Sequence, residues 1–247
     1  EEQRRIADFL DAETSRIDRL HQLATKAAKV AIERRGAAIE EIFNRNVNRY
    51  IRLKFLAQAP LAYGANSPAE YDNPSWPRYI RTTDVTSQGD LRDDTFKSIP
   101  PDVARNYLLQ DGDILLTRSG ATVGKSFLYR ASYGVAAHAG YMIRFRPDKT
   151  KIDPHIIYSF CQTPSYWRQI TSDAIQATIQ NVNAEKYGNI IFPWPAKEEQ
   201  EKMKRAIFEV DGQARRLADL AAKQVSLLEE RRRALITAAV TGEFDVS

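Results

Sequence analysis

The sequence predicts an α+β chain, in which a mixed, β-rich middle domain is flanked by two long antiparallel coiled-coil helices. Three observations carry this reading. The two ends of the chain repeat one another. Both ends space their apolar residues as a coiled-coil seam does. All eleven prolines, and most of the glycines and aromatics, fall between them. The boundaries read as a first helix over 1–45, a middle domain over 46–195 and a second helix over 196–247.

The repeat comes first, because a missed repeat misassigns a whole fold. Glu1-Glu2-Gln3 recurs as Glu198-Glu199-Gln200, 197 positions on. The same shift places Arg19-Leu20 on Arg216-Leu217, Leu23-Ala24 on Leu220-Ala221 and Glu33-Arg34-Arg35 on Glu230-Arg231-Arg232. Within the first copy Leu10, Ile17, Ala24, Ala31 and Ala38 recur every seven residues, with Ile6, Leu20 and Ala27 interleaved. Within the second, Ile207, Ala214, Ala221, Leu228 and Leu235 recur, with Met203, Val210 and Leu217 interleaved. The expected helix–helix interface is therefore Leu10, Ile17, Leu20, Ala24, Ile207, Ala214, Leu217, Ala221 and Leu228, with polar breaks at Glu13, Arg34, Gln224 and Arg231. Two independent amphipathic surface helices are the competing reading; the matched register favours helices that meet each other.

In the middle domain the helical period gives way to short strand-like runs: 78–81, 113–117, 126–129 and the alternating 141–146. Asp111-Gly112 and Ser119-Gly120 mark turns between them. Asp153 as a cap and Pro154 in a first turn predict a helix through Phe160, with another around Tyr166 to Ile170.

Composition bounds the function. The chain has 247 residues, 43% of them hydrophobic, with 36 Lys plus Arg against 32 Asp plus Glu. That is enough apolar content for a core and too little for a membrane span. The one cysteine, Cys161, excludes an intrachain disulfide framework and a cysteine-rich zinc site. The chain opens on Glu1-Glu2-Gln3 without a leader and already in helical pattern, so a longer natural chain in the cytoplasm is expected. Residues 46–195 hold 17 basic and 13 acidic residues, so the whole net charge of +4 lies in the middle domain. Basic residues among amides and hydroxyls in turns suit nucleic acid.

Two enzyme-like motifs fail on context. Ser119-Gly120-Ala121-Thr122-Val123-Gly124-Lys125-Ser126 lacks the first glycine of a phosphate-binding loop, and Phe127-Leu128-Tyr129 reads as a strand where that loop needs a helix. A tight glycine turn between strands fits better. Asn73-Pro74-Ser75-Trp76 is near an amino-methyltransferase motif but lacks its second proline. His21, His138 and His155 have no metal-ligand spacing, and no nucleophile, base and orienting group assemble. The chain reads as no enzyme, with no metal and no cofactor of its own.

The motifs together resemble the specificity subunits of type I restriction-modification systems. Glu1 to Asp11 is similar to the start of their central conserved helix, and Asp113 to Lys125 resembles the core signature of their target-recognition domains. Tyr79-Ile80-Arg81 with Asp84 is similar to that domain's early strand. Gln176 to Asn183, then Ile190 to Pro193 and Glu198-Glu199-Gln200, are similar to its exit into the next helix. The resemblance implies a non-catalytic subunit that reads bipartite double-stranded DNA with two such domains, held apart by two antiparallel helices. It implies modification (methyltransferase) subunits docked on the helices, with S-adenosylmethionine on those partners, and a restriction subunit in the larger complex. Only one recognition domain is present in this sequence. Either another preceded Glu1, or a half-subunit pairs with a second copy as a homodimer through the helices and reads a palindromic site.

The candidate DNA-binding residues are Arg81, Thr83, Arg118, Ser119, Thr122, Lys125, Gln176, Thr178, Gln180 and Asn181. Arginine suits guanine and the amides suit adenine. Arg118 could instead be a scaffold partner of Asp113 or Asp84, and Ser119 and Thr122 could only shape a turn. A protein-binding adaptor and a nucleotide-binding enzyme centred on Lys125 stand as the alternative functions.

Overall fold

The computed structural model describes residues 2–47, 49–86, 89–171 and 181–241. Gln176, Thr178 and Gln180 lie outside the described residues. The chain forms two compact units, one of Glu1–Arg35 with Glu209–Ser247 and the other of Gly36–Phe208. The long helices α1 (Glu2–Asn46) and α6 (Lys197–Thr241) each contribute to both. Glu198 and Glu199 occupy the first turn of α6, where negative charge meets the positive end of the helix dipole.

In the first unit the two helices run antiparallel. Glu13 pairs with Arg231 at 2.9 Å, His21 with Glu229 at 3.7 Å and Arg35 with Asp211 at 2.7 Å, so partner numbers fall as the chain number rises. Ile17, Ala24, Ala31, Ala214, Ala221 and Leu228 are buried on the seven-residue spacing. The interleaved positions differ from those expected. Leu217 is 58% exposed while the adjacent Ala218 is buried. Leu10 and Leu20 are only half-buried. The seam steps by four and then three from Ala214 to Ala218 to Ala221, and small alanines let the backbones approach at the place a leucine would hold them apart. Arg34 and Gln224 face solvent; the half-buried polar side chains that bond across the helices are Glu13, as expected, and Arg35 with Asp211.

The second unit is built around a four-stranded antiparallel sheet in the order β2 (Ala62–Tyr63), β7 (Met142–Phe145), β4 (Ile114–Thr117), β5 (Ser126–Leu128). All four residues of β4 are buried, as a central strand requires. Two strand pairs flank it: antiparallel β1 (Tyr50–Arg52) with β8 (Ile191–Pro193), and parallel β3 (Arg78–Ile80) with β6 (Ala136–His138). Between them come four short helices: α2 (Pro101–Ala104), α3 (Pro154–Phe160), α4 (Pro164–Thr171) and α5 (Ala184–Gly188). Asp153 caps α3 by accepting from the His155 amide, with Pro154 in the first turn. The strands β1, β2 and β6 are too short to leave a period in the sequence.

The core is aromatic where the helix ends enter it. Phe43 of α1, Phe160 of α3 and Phe192 of β8 meet edge to face, with centroids 5.2 to 6.0 Å apart. Each such buried ring contributes about 1.5–3 kcal/mol. Beside them, Ile80, Leu115, Phe127 and Met142 form a second cluster over the sheet. Buried Asp113 is held by Arg146 through two 2.7 Å bonds and also accepts from the Gln110 amide at 2.8 Å. No helix of the described residues is long and apolar enough to cross a membrane.

Candidate nucleic-acid interface

The loop 118–125 joins β4 to β5, and its glycines are structural. Gly124 has φ +86°, and a Cβ there would lie 2.6 Å from Trp167. Buried Tyr166 donates its hydroxyl to the Gly124 carbonyl at 2.8 Å. The Gly124 amide donates to the Tyr187 hydroxyl at 3.2 Å, and that hydroxyl donates to the Thr117 carbonyl at 2.5 Å. The loop is thus clamped from behind by two buried tyrosines. Lys125 is followed by strand β5, and its Nζ donates to the Val85 carbonyl at 2.9 Å. Burial lowers its amine below the usual lysine value. The geometry is that of a strand-to-strand turn, and the nucleotide-binding alternative loses the helix it needs.

The turn gathers much of the predicted set at one end of the sheet. Ser119 bridges to Asn181, and the Val182 amide donates to the Arg118 carbonyl at 2.8 Å. Thr122 and Asn181 are exposed, and Arg118 and Ser119 half-buried. The Lys125–Val85 bond ties this loop to the 3₁₀ turn Thr82–Asp84, which carries the exposed Thr83.

Arg81 has scaffold partners. Its guanidinium grips buried Asp84 at 2.6 and 3.0 Å and also donates to the Thr95 carbonyl at 2.7 Å. Asp84 closes the turn by accepting from the Arg81 amide at 2.8 Å. The hydrogen bonds that Arg81 donates to Asp84 raise its pKa above its ordinary value. Arg81 is engaged in holding the turn. Arg118 is the reverse case. Asp84 and Asp113, the partners weighed for it as scaffold, are taken by Arg81 and Arg146. Its guanidinium instead lies 4.8 Å from the Tyr63 ring centroid.

Beside the loop lies an open hollow of about 520 Å³ whose polar lining is Gln169, Asn181, Asn183, Glu185, Lys186 and Asn189. Most of these amides have structural duties. Asn183 caps α5 through the Lys186 amide, Gln169 brackets the Ile191 backbone, and Asn189 accepts from Lys54. Asn181 sits where the hollow meets the turn. Tyr63 and Tyr141 belong to this surface and were not anticipated. Tyr141 is 40% exposed, and its carbonyl accepts the Arg118 amide at 2.9 Å. No local pattern marks either tyrosine; strand register alone brings them here.

The fold is of the α+β class with long terminal helices, and it displays cations and polar groups on turns that are locked from behind. The chain belongs to the type I restriction modification DNA specificity domain family, whose model matches residues 68–220. That family is non-catalytic. No curated protein sequence matches this chain. Among solved structures, the chain is similar to one from work on complex assembly and conformational transition of the type I R-M system, at TM-score 0.72 and 18% identity over 97% of this chain and 59% of that one. It is also similar to the HsdS subunit from Thermoanaerobacter tengcongensis, at TM-score 0.57 and 18% identity over 98% of this chain and 59% of that one. A third is the type I restriction-modification S subunit from M. genitalium, at TM-score 0.50 and 15% identity over 96% and 60%. At these identities the likeness shows the fold. The chain spans about three fifths of the length of these relatives.

Proposed function

We propose that this chain reads one half of a bipartite DNA sequence as the specificity component of a type I restriction-modification complex, and that its long helices dock the modification subunits. The match to the DNA specificity domain over 68–220 carries this reading. The turn bearing Arg118, Ser119, Thr122 and Asn181 supplies donors and acceptors for base edges. Salt-dependent affinity comes from Lys and Arg on phosphates. The other half of the site is read by a second recognition domain, in the same polypeptide or in a second copy. S-adenosylmethionine binds the modification subunits, which methylate the adenine that the complex selects.

The exposed side chains of the helix pair support docking. Leu23, Leu217, Leu220 and Leu227 all face solvent in the first unit. The internal repeat maps Leu20 on Leu217, Leu23 on Leu220 and Val30 on Leu227, so both helices carry a related apolar stripe. Apolar stripes of this kind mark partner surfaces.

The test is methylation-site mapping with the modification subunits, with and without this chain. Methylation confined to one interrupted motif, and only when the chain is present, is the expected result. Methylation that does not depend on the chain would overturn the reading and favour the adaptor.

A further inference from the structure

The Arg118 side chain lies against an aromatic ring at the turn between β4 and β5. Its backbone is fixed on both sides: the amide donates to the Tyr141 carbonyl at 2.9 Å and the carbonyl accepts from Val182 at 2.8 Å. Strand register then sets the direction of the side chain. Leu116 of β4 faces Ile143 of β7, and Ile143 faces Tyr63 of β2. Side chains two residues apart share a face of a sheet, so Arg118 and Tyr63 lie on the same face. The guanidinium reaches across to the Tyr63 ring, 4.8 Å from its centroid.

The ring is itself fixed. The Tyr63 hydroxyl accepts from the amide of Ala184, the first residue of α5, at 3.2 Å. Arg78, Arg81 and Arg146 each pair with a carboxylate, from Asp93, Asp84 and Asp113. Among the described residues no ion pair is formed by Arg118, and its buried Nε has no hydrogen-bond partner. A half-buried cation over an aromatic face, with no carboxylate partner, is a preorganised fork. That fork matches the O6 and N7 acceptors of guanine in the major groove. A buried donor without a partner is the kind of local cost that functional sites retain.

We propose that Tyr63 is a positioning residue for Arg118, and that Arg118 so held reads a guanine within the half-site. This rests on the DNA-reading function above. Stacking fixes the plane of the guanidinium and reduces the freedom lost when it meets the base. The specificity at that base pair therefore depends on the aromatic ring as well as on the charge.

The test uses the full chain in complex with its modification subunits and a duplex pool randomised across the site, sequenced before and after binding. Arg118→Ala and Arg118→Lys abolish the preference for one G·C pair, and the lysine variant keeps the wild-type salt dependence. Tyr63→Leu weakens the preference at that same pair by about tenfold and leaves the other positions unchanged. Tyr63→Phe retains it, because the ring and not the hydroxyl supports the guanidinium. Tyr63→Leu selecting the same pair as strongly as wild type would overturn the positioning role. So would an equal loss at every position, which is the mark of a merely structural tyrosine. If Arg118→Ala loses no base preference while the wild-type complex still selects a motif, the guanine assignment fails and the DNA-reading function stands. If the wild-type complex selects no motif, the function itself is refuted and the assignment with it.

Discussion

Arg35 and Asp211 meet across the antiparallel helices, with Arg35 Nε donating to Asp211 Oδ1 at 2.7 Å and each side chain only 19% exposed. They occupy seam positions in a pair of helices otherwise joined largely by alanine. An alanine-rich seam slides easily, because one small residue fits as well as the next. A polar pair at the seam fixes the register, at some cost in stability relative to an apolar pair.

Asp211→Ala therefore costs about 1–2 kcal/mol, since it leaves a largely desolvated guanidinium without its acceptor. The reversed pair, Arg35→Asp with Asp211→Arg, recovers most of that loss. Urea unfolding of wild type, Arg35→Asp, Asp211→Arg and the reversed pair, the four proteins of a double-mutant cycle, checks it. Purely additive effects would show that the pair does not set the register.

The stepped seam separates two faces of α6. Ala221→Asp places a carboxylate in the seam and lowers stability by about 2–4 kcal/mol. Leu217→Asp changes stability by no more than about 0.5 kcal/mol, because Leu217 is 58% exposed. The same Leu217 variant loses the modification subunits from the complex. Thermal melting and a sizing column, run side by side, distinguish the two substitutions.

The two glycines of the 118–125 turn separate conformation from packing. Both have φ +86°, but a Cβ at Gly120 meets nothing within 4 Å while one at Gly124 strikes Trp167 at 2.6 Å. Gly120→Ala costs about 1–2 kcal/mol, from the left-handed backbone alone. Gly124→Ala adds an overpacking cost of roughly 1–3 kcal/mol. The difference between their urea midpoints measures the second effect.

His138 makes stability depend on pH. Burial lowers its pKa from the ordinary 6.5 to about 4, and its ring nitrogens face the carbonyls of Tyr107 and Ala62 at 3.3 and 3.5 Å. Between pH 6.5 and 4 the unfolded chain takes up a proton there and the folded chain does not. Stability consequently falls as pH drops through that window, by up to about 3 kcal/mol, and the effect levels off below it. Asp111, Asp148 and Asp153, whose pKa values are lowered, weaken the fold only on further acidification, beneath the ordinary carboxylate range. His138→Gln flattens the slope of unfolding free energy between pH 7 and 5. A slope as steep as wild type would assign the effect elsewhere.

Much of the fold was legible because its signals are local or periodic. The seven-residue spacing located both long helices, and Asp153 with Pro154 gave the start of α3. Alternation found β7, and the turn residues around Gly120 placed β4 and β5 on either side. The seam was misread by one residue at Leu217 because apolar character alone does not say whether Leu217 or Ala218 faces the partner; close packing chose the smaller residue. At the site the sequence supplied Arg118, Ser119, Thr122 and Asn181, which the Ser119–Asn181 bridge brings together. It could not show that Arg81 closes on Asp84, since an arginine three residues before an aspartate reads equally well as a free cation.

The sequence by itself determined that this chain is two copies of one helix around a basic, proline-rich body, because repetition, heptad spacing and composition are written along the chain. Tertiary structure decided which arginine keeps its fork. Asp84 and Asp113 took Arg81 and Arg146, and the register of β2, β7 and β4 carried Arg118 to Tyr63, 55 residues away in sequence. The choice is one of burial. A carboxylate inside the domain must find a cation, whereas the cation on the turn is left to an aromatic face and to whatever base edge it meets.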